Sequence, residues 1–272
     1  MRLISVCPSN TELLHYLDLS DDLVGVDDYS DWPFQIQSLP RVGPDLNIDL
    51  DKVEALKPDL VFASLSVPGM EKNVEQLKER NIPYVIVPNP KTLTEVGDAI
   101  QFVANAVNCP ERGKELRNKF DSILSQYREI KQGLSTTYNI YWEWWPKPVF
   151  TPGRDNWLTE ISDLAGGSNV FESQSASSVQ TDWEEVRSTN PDVIAICWVG
   201  VSKNKINEKN ILNRAGWKEI SAIKNKQLYI LEEPLFCRPS PRLLLGLSKI
   251  ANLLHPNSYP TYTGKDLLLQ ND

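Results

Sequence analysis

The chain has 272 residues, 41% of them hydrophobic and 24% charged, with a formal net charge of −8. That is long enough for two modest domains, each burying its own core, and the composition is that of an ordinary globular protein. The acidic balance argues against nucleic acid as the main partner, since phosphate binding draws on a basic surface, but it leaves open docking onto a basic protein surface.

In chain order, residues 3–6 are predicted as a first strand. Ser9-Asn10-Thr11-Glu12 then has the pattern of a capping box, with Ser9 as cap and Glu12 reaching back, and a helix is expected to about residue 17. Further strands are expected at 23–26, 60–63 and 84–87, with a helix over 70–80. This alternation favours a parallel sheet covered by helices on both faces. Residues 92–132 contain no strand signal. A helix is expected over 94–108, and Pro110 suits the start of the next, in which Leu116, Phe120, Ile123, Leu124, Tyr127 and Ile130 recur at helical spacing. Its twenty-odd residues would make a rod of roughly 30 Å, enough to join two lobes. The alternation resumes with strands at 139–142, 193–197 and 227–231 and helices at 157–164, 211–220 and 241–254. An irregular tail follows from His255.

Residues 49–63 (DLDKVEALKPDLVFA) are echoed by residues 182–196 (DWEEVRSTNPDVIAI). Each copy opens on an Asp able to cap a helix, runs about two turns, reaches a Pro-Asp step and enters an apolar strand. Asp49/Asp182, Val53/Val186, Pro58/Pro191 and Asp59/Asp192 are identical. Two such copies predict two similar α/β lobes with a binding cleft between them.

No G-x-G-x-x-G, Walker, nucleophile-elbow or H-E-x-x-H pattern is present, so nothing calls for an enzyme. The two histidines, His15 and His255, make no metal motif. Cys7, Cys109, Cys197 and Cys237 are scattered and read as small buried residues, with disulfide pairing left open. Met1-Arg2 leads directly into the first strand, and there is no export signal or run of eighteen apolar residues. The sequence as given therefore reads as cytoplasmic, without membrane insertion; a trimmed chain would be periplasmic or cell-surface.

Aromatic side chains collect where strands end: Trp142, Trp144 and Trp145 in Tyr141-Trp142-Glu143-Trp144-Trp145-Pro146, Tyr29 and Trp32 after the second strand, Trp198 after the repeat's second strand, and Phe236 near the C-terminal motif. Loops at the carboxyl ends of parallel strands are where ligands bind, and such rings suit a large, flat, partly apolar molecule. Arg238, beside Pro239, offers a fork of donors to polar groups. Asp51 and Glu184 occupy the same place in the two repeats, in the first turn of a helix, where the backbone dipole favours an acid.

Ser5-Val6-Cys7-Pro8-Ser9-Asn10-Thr11-Glu12-Leu13, Val24-Gly25-Val26-Asp27-Asp28-Tyr29-Ser30-Asp31-Trp32-Pro33, Ala55-Leu56-Lys57-Pro58-Asp59-Leu60-Val61 and Arg238-Pro239-Ser240-Pro241-Arg242 together resemble the vitamin B12-binding proteins of bacterial ABC importers, in the helical-backbone class of periplasmic binding proteins. The resemblance implies an α/β fold of two similar Rossmann-like lobes with mainly parallel sheets, joined by a long rigid helix, with the ligand in the inter-lobe cleft. The expected organisation is an N-terminal lobe over 1–92, a helical linker over 93–135 and a C-terminal lobe over 136–272. It further implies a non-enzymatic, monomeric binder of a corrinoid such as cobalamin, with no covalent cofactor. Tyr29, Phe150 and Arg238 fall on ligand-contacting positions, and Asp51 and Glu184 on acids that dock the lobes onto an importer permease. Trp142, Trp144, Trp145 and Trp198 are additions that would reline the cleft. The alternatives are a ferric-siderophore or haem receptor of the same fold, or a cytoplasmic corrinoid carrier or corrinoid-modifying enzyme.

Overall fold

The computed structural model describes residues 1–269. The chain divides into two compact units: one comprises Met1–Pro90, Thr94–Asp121 and Pro239–Pro241, the other Lys91–Leu93, Ser122–Arg238 and the described residues from Arg242.

The first unit is built on β1 (Leu3–Ser5), α1 (Pro8–Tyr16), β2 (Leu23–Val26), α2 (Leu50–Ala55), β3 (Leu60–Ala63), α3 (Glu71–Glu79) and β4 (Tyr84–Ile86). Its four strands are parallel in the order β2-β1-β3-β4. Leu3, Ile4, Val61 and Phe62 are fully buried, as expected of strands with both faces covered. Two helices follow, α4 (Leu93–Ala106) and α5 (Pro110–Gln132). The 23 residues of α5 span about 35 Å, and the boundary between the units falls within it, after Asp121.

The second unit contains β5 (Tyr138–Glu143), β6 (Trp145–Pro146), β7 (Val149–Thr151), α6 (Trp157–Leu164), β8 (Gly167–Asn169), β9 (Val179–Thr181), α7 (Trp183–Thr189), β10 (Val193–Ile196), α8 (Glu208–Leu212), α9 (Ser221–Lys224), β11 (Leu228–Ile230) and α10 (Leu243–Leu254). A parallel sheet has the order β11-β10-β5-β8, and β6, β7 and β9 form a small antiparallel sheet. Written from the other edge, β8-β5-β10-β11 is the order of the first unit. The repeat strands β3 and β10 occupy the same slot.

The repeat is reproduced bond for bond. Asp49 Oδ1 accepts from the backbone N–H groups of Asp51 and Lys52 at 3.1 and 3.2 Å, and Asp182 Oδ1 from those of Glu184 and Glu185 at 2.9 and 2.8 Å. Val53 and Val186 are fully buried. Lys57 and Asn190, each preceding the proline, adopt left-handed backbone at φ 47° and 43° and stop the helix. The next residue of each copy then clamps the central strand. Asp59 N–H donates to Arg2 O at 2.8 Å while its carboxylate accepts from Arg2 N–H at 2.7 Å; Asp192 does the same with Asn139, at 2.9 and 2.9 Å. Each Pro-Asp step thus sets the register between the repeat strand and its neighbour.

Three expectations need correction. The capping box does not form: Pro8 opens α1 and the N-cap is Cys7, which makes no side-chain cap bond. Ser9, Asn10, Thr11 and Glu12 are instead buried along the first turns, where Asn10 donates to Phe62 O and Ala63 O and the Glu12 carboxylate accepts from Ser240 Oγ. The helix expected over 211–220 is broken into α8 and a short 3-10 turn at Trp217–Glu219, because Gly216 between them has φ 75°. The segment over 93–135 expected as a helical linker divides between the units, 94–121 grouping with the first and the rest with the second. Among the described residues, no helix is long and apolar enough to cross a membrane.

Candidate ligand-binding site

In each sheet the chain leaves the first strand toward one side and returns on the other, so the point of reversal lies between β1 and β3 in the first unit and between β5 and β10 in the second. The crevice beyond the strand ends at such a point is the usual place for a ligand in an open parallel sheet. In the second unit, Trp144 and Trp145 follow β5, and Cys197, Trp198 and Val199 follow β10.

Glu143, the last residue of β5, is fully buried and organises this edge. Arg214 closes a two-pronged bond onto it, Nη1 to Oε2 at 2.6 Å and Nη2 to Oε1 at 2.8 Å. Tyr141 Oη donates to Oε2 at 2.8 Å and Trp198 Nε1 to Oε1 at 3.0 Å. Four donors on one carboxylate supply the partners that a buried charge requires. The guanidinium is also packed on two indoles, 4.5 Å from the centroid of Trp183 and 4.3 Å from that of Trp217. Burial, and after it the Glu143 charge, raises the Tyr141 phenol well above its usual range, which keeps it a donor. Trp198 is therefore fixed by a bond to the core, with its ring half-buried at the edge.

The neighbouring rings divide into two groups. Trp145 is 42% exposed and faces half-buried Phe150 across the β6–β7 pairing. Trp144 is half-buried against Trp157, centroids 6.1 Å apart, and its indole N–H is buried without a protein acceptor, as is the Thr151 hydroxyl. Trp142 and Phe236, expected among the ligand contacts, belong to the core. Both are fully buried, their rings 5.4 Å apart, and Trp142 Nε1 donates to Ser162 Oγ at 2.8 Å. β5 is covered on both faces from Ile140 to Glu143, so Tyr141 and Trp142 are buried whichever way they point, while Trp144 and Trp145 past its end emerge.

Arg238 is half-buried and its Nη2 donates to Glu233 Oε2 at 3.1 Å, so part of its fork is engaged within its own loop. That loop is pressed on α10: a Cβ on Gly246 would lie 2.2 Å from Leu235 O. In the first unit Tyr29 is 56% exposed, on a loop held by a buried chain of polar groups. Asp27 accepts from Tyr29 N–H and Ser30 N–H at 2.8 and 3.1 Å, and Thr11 Oγ1 joins Ser30 to Ser5 at 2.7 and 2.8 Å. Trp32 instead lies edge-on to His15 at 4.4 Å and against Tyr16 at 5.4 Å, packed on α1. Leu65 and Val67, on the loop after β3, are exposed at the same edge as Tyr29.

Asp51 and Glu184 are both exposed on their respective units, and each already has an arginine. Arg80 donates to Asp51 at 2.5 Å and to Glu54 at 2.8 Å. Arg187 grips both oxygens of Glu184, Nε to Oε2 at 3.0 Å, and holds its carboxyl below the usual range. A surface depression lined by Glu184, Arg187, Ser188, Asn190, Glu219 and Ile220 lies beside it. Glu143, Arg214, Trp183 and Trp157 were not legible as site components. Their only sequence signal is a lone acid within a run of rings. Among the described residues, no group of three or more His, Cys, Asp or Glu side chains gathers to hold a metal.

Residues 3–235 match the periplasmic binding protein family. An uncharacterized ABC transporter substrate-binding lipoprotein of Bacillus subtilis, YvrC, is 29% identical over 267 residues, covering 95% of this chain and 81% of that one. A vitamin B12-binding protein of Vibrio cholerae is 30% identical over 258 residues, covering 93% and 88%. The crystal structure of the periplasmic vitamin B12 binding protein BtuF of that species superposes with a TM-score of 0.74 at 28% identity, over 94% and 96% of the two chains. The periplasmic heme-binding protein RhuT of Roseiflexus sp. RS-1 shares the fold, with a TM-score of 0.82 at 19% identity over 94% and 98%.

Proposed function

The chain belongs to the periplasmic binding protein family and is a substrate-binding protein of the ABC-importer type, and from that premise we propose that its ligand is a corrinoid of the cobalamin kind. The observation that carries this reading is the edge of the second unit: Trp144, Trp145 and Trp198 stand beyond the ends of β5 and β10 around the reversal between them, with Phe150 paired to Trp145 across β6 and β7. Rings in that position offer flat apolar contact to a macrocycle. The matches to a vitamin B12-binding protein of Vibrio cholerae, at 30% identity by sequence and 28% by structure over nearly the whole chain, support this reading.

Haem is the second reading, and one residue favours it. The exposed Tyr29 hydroxyl could serve as an axial iron ligand. The histidines are less suited: His15 bonds Ser20 Oγ at 2.8 Å and His255 bonds Gly166 O at 3.2 Å. The discriminating experiment is titration with cobalamin, haemin and a ferric siderophore in parallel, following tryptophan fluorescence and the ligand's absorption. One-to-one quenching by cobalamin, weakened roughly tenfold or more by Trp144→Ala with Trp145→Ala, supports the corrinoid reading. Tight haemin binding that is lost in Tyr29→Phe, with none for cobalamin, replaces it.

We further propose that Asp51 and Glu184 are the docking acids for a permease. Their present arginine partners lie on the same surfaces, so docking would exchange an intramolecular pair for an intermolecular one, at little net Coulombic cost and with strong salt dependence. Asp51→Asn with Glu184→Gln should leave ligand affinity intact and lower transport in a reconstituted importer. Normal transport by the double variant eliminates the docking role.

A further inference from the structure

Cys197 is the residue immediately after β10, and Cys237 immediately precedes Arg238 on the segment following the Glu233–Leu235 turn. The Cys237 thiol donates to Cys197 O at 3.2 Å, which sets the two cysteines side by side. The backbone on each side is anchored: Cys197 N–H donates to Glu143 O at 3.0 Å and Cys237 N–H to Glu233 O at 2.8 Å. A thiol seated against the backbone of a second cysteine, with both segments tethered, brings the pair within reach of a disulfide. All four cysteines are free thiols, and Cys7 and Cys109 belong to the other unit. Among the described residues no third metal-ligating side chain joins the pair, which separates it from a soft-metal site.

We propose that Cys197 and Cys237 form an intrachain disulfide that fastens the Arg238-bearing segment to the end of β10. The bridge forms by exchange with a low-molecular-weight disulfide such as oxidised glutathione. The Cys237 thiolate attacks one glutathione sulfur and expels the first glutathione thiolate. The Cys197 thiolate then attacks the Cys237 sulfur of the mixed disulfide and expels the second. One S–S bond is broken and one is made, two electrons pass from the cysteine pair to glutathione, and the two thiol protons end on the released glutathiones. Cys237 is half-buried and Cys197 fully buried, which makes Cys237 the point of entry and Cys197 the resolving thiol. Burial, then the Cys197 contact and the Glu233 charge, pushes the Cys237 thiol well above its usual range, so exchange in the folded chain is slow at neutral pH and quickens in alkali. Once closed, the bridge is shielded, and the Trp198 turn and the Arg238 loop move as one piece.

The test refolds the full reduced chain from denaturant in glutathione buffers of graded ratio, so that access through the folded structure does not limit the reaction. Alkylation and non-reducing peptide mapping then identify the pairing. The expected result is a Cys197–Cys237 cross-linked peptide, at least about tenfold more abundant than in the same buffer with denaturant present, with Cys7 and Cys109 still alkylated. The oxidised chain should melt at a higher temperature than the reduced one, and Cys237→Ser should abolish both effects. Absence of the cross-link at every ratio overturns the proposal. So does a yield no greater than in denaturant, or a lower melting temperature on oxidation. Should Cys237→Ser fail to fold, the wild-type map still decides.

Discussion

Replacing Glu143 by glutamine keeps the shape of the side chain and removes the charge on which four donors converge. Arg214, 3% exposed, then loses its counter-charge, and one of its prongs meets the amide N–H₂ instead of an oxygen. Breaking a buried pair costs about 3–5 kcal/mol, because the surviving charge stays out of water. Trp183 and Trp217 still sandwich the guanidinium and the amide oxygen still accepts, which places the expected loss near the lower end, about 3 kcal/mol. For a domain of this size that is roughly 6–12 °C in melting temperature. Urea unfolding followed by tryptophan fluorescence is the appropriate assay, because every tryptophan except Trp32 belongs to the second unit. The partner control is Glu143→Met with Arg214→Leu, which removes both charges and should cost less than Glu143→Gln alone. A loss below about 1 kcal/mol in Glu143→Gln, or a double variant less stable than the single, would refute the account of Glu143 as a paired buried charge.

Glu232 is expected to make acid stability fall at unusually low pH. Burial alone would raise its carboxyl, but bonds from Lys203 and Lys249, each at 2.5 Å, outweigh this and bring it to about 2. A depressed folded value means stability present above the unfolded value near 4.5 and lost as pH falls from there to about 2. Screening at this partly exposed site holds the amount to roughly 1 kcal/mol, and Glu232→Gln should flatten that part of a stability–pH profile. Gly246→Ala should displace the loop carrying Arg238, since its new methyl would meet the Leu235 carbonyl. A destabilisation of roughly 1–3 kcal/mol by thermal melt is expected, and an unchanged melt would show that the loop yields freely. Asp49→Ala and Asp182→Ala should each cost about 1 kcal/mol through the lost cap, measured by urea titration; a difference between them above about 1 kcal/mol would break the equivalence of the repeats.

The sequence by itself determined the architecture. The alternation of apolar strands with amphipathic helices, and above all the repeated Asp-cap, Val, Pro-Asp grammar, specify local geometry that tertiary contacts need not supply. Asp49 and Asp182 bond to backbone two and three residues ahead, and Asp59 and Asp192 set strand register with a single neighbour. The exposed acids Asp51 and Glu184 were legible for the same reason, since their place in the first turn is a local property. Which rings face a ligand was not local. Trp142, Trp144, Trp145 and Phe236 have the same chemistry, and their fates are decided by helices and loops arriving from elsewhere in the chain. Burial on both faces of β5 takes Trp142 into the core, and the end of the strand releases Trp145. The Glu143–Arg214 pair joins residues 71 positions apart, and the Cys197–Cys237 contact joins residues 40 apart. Neither carries a sequence signature, because a contact made by folding depends on where two strand ends meet and not on what lies beside each residue in the chain.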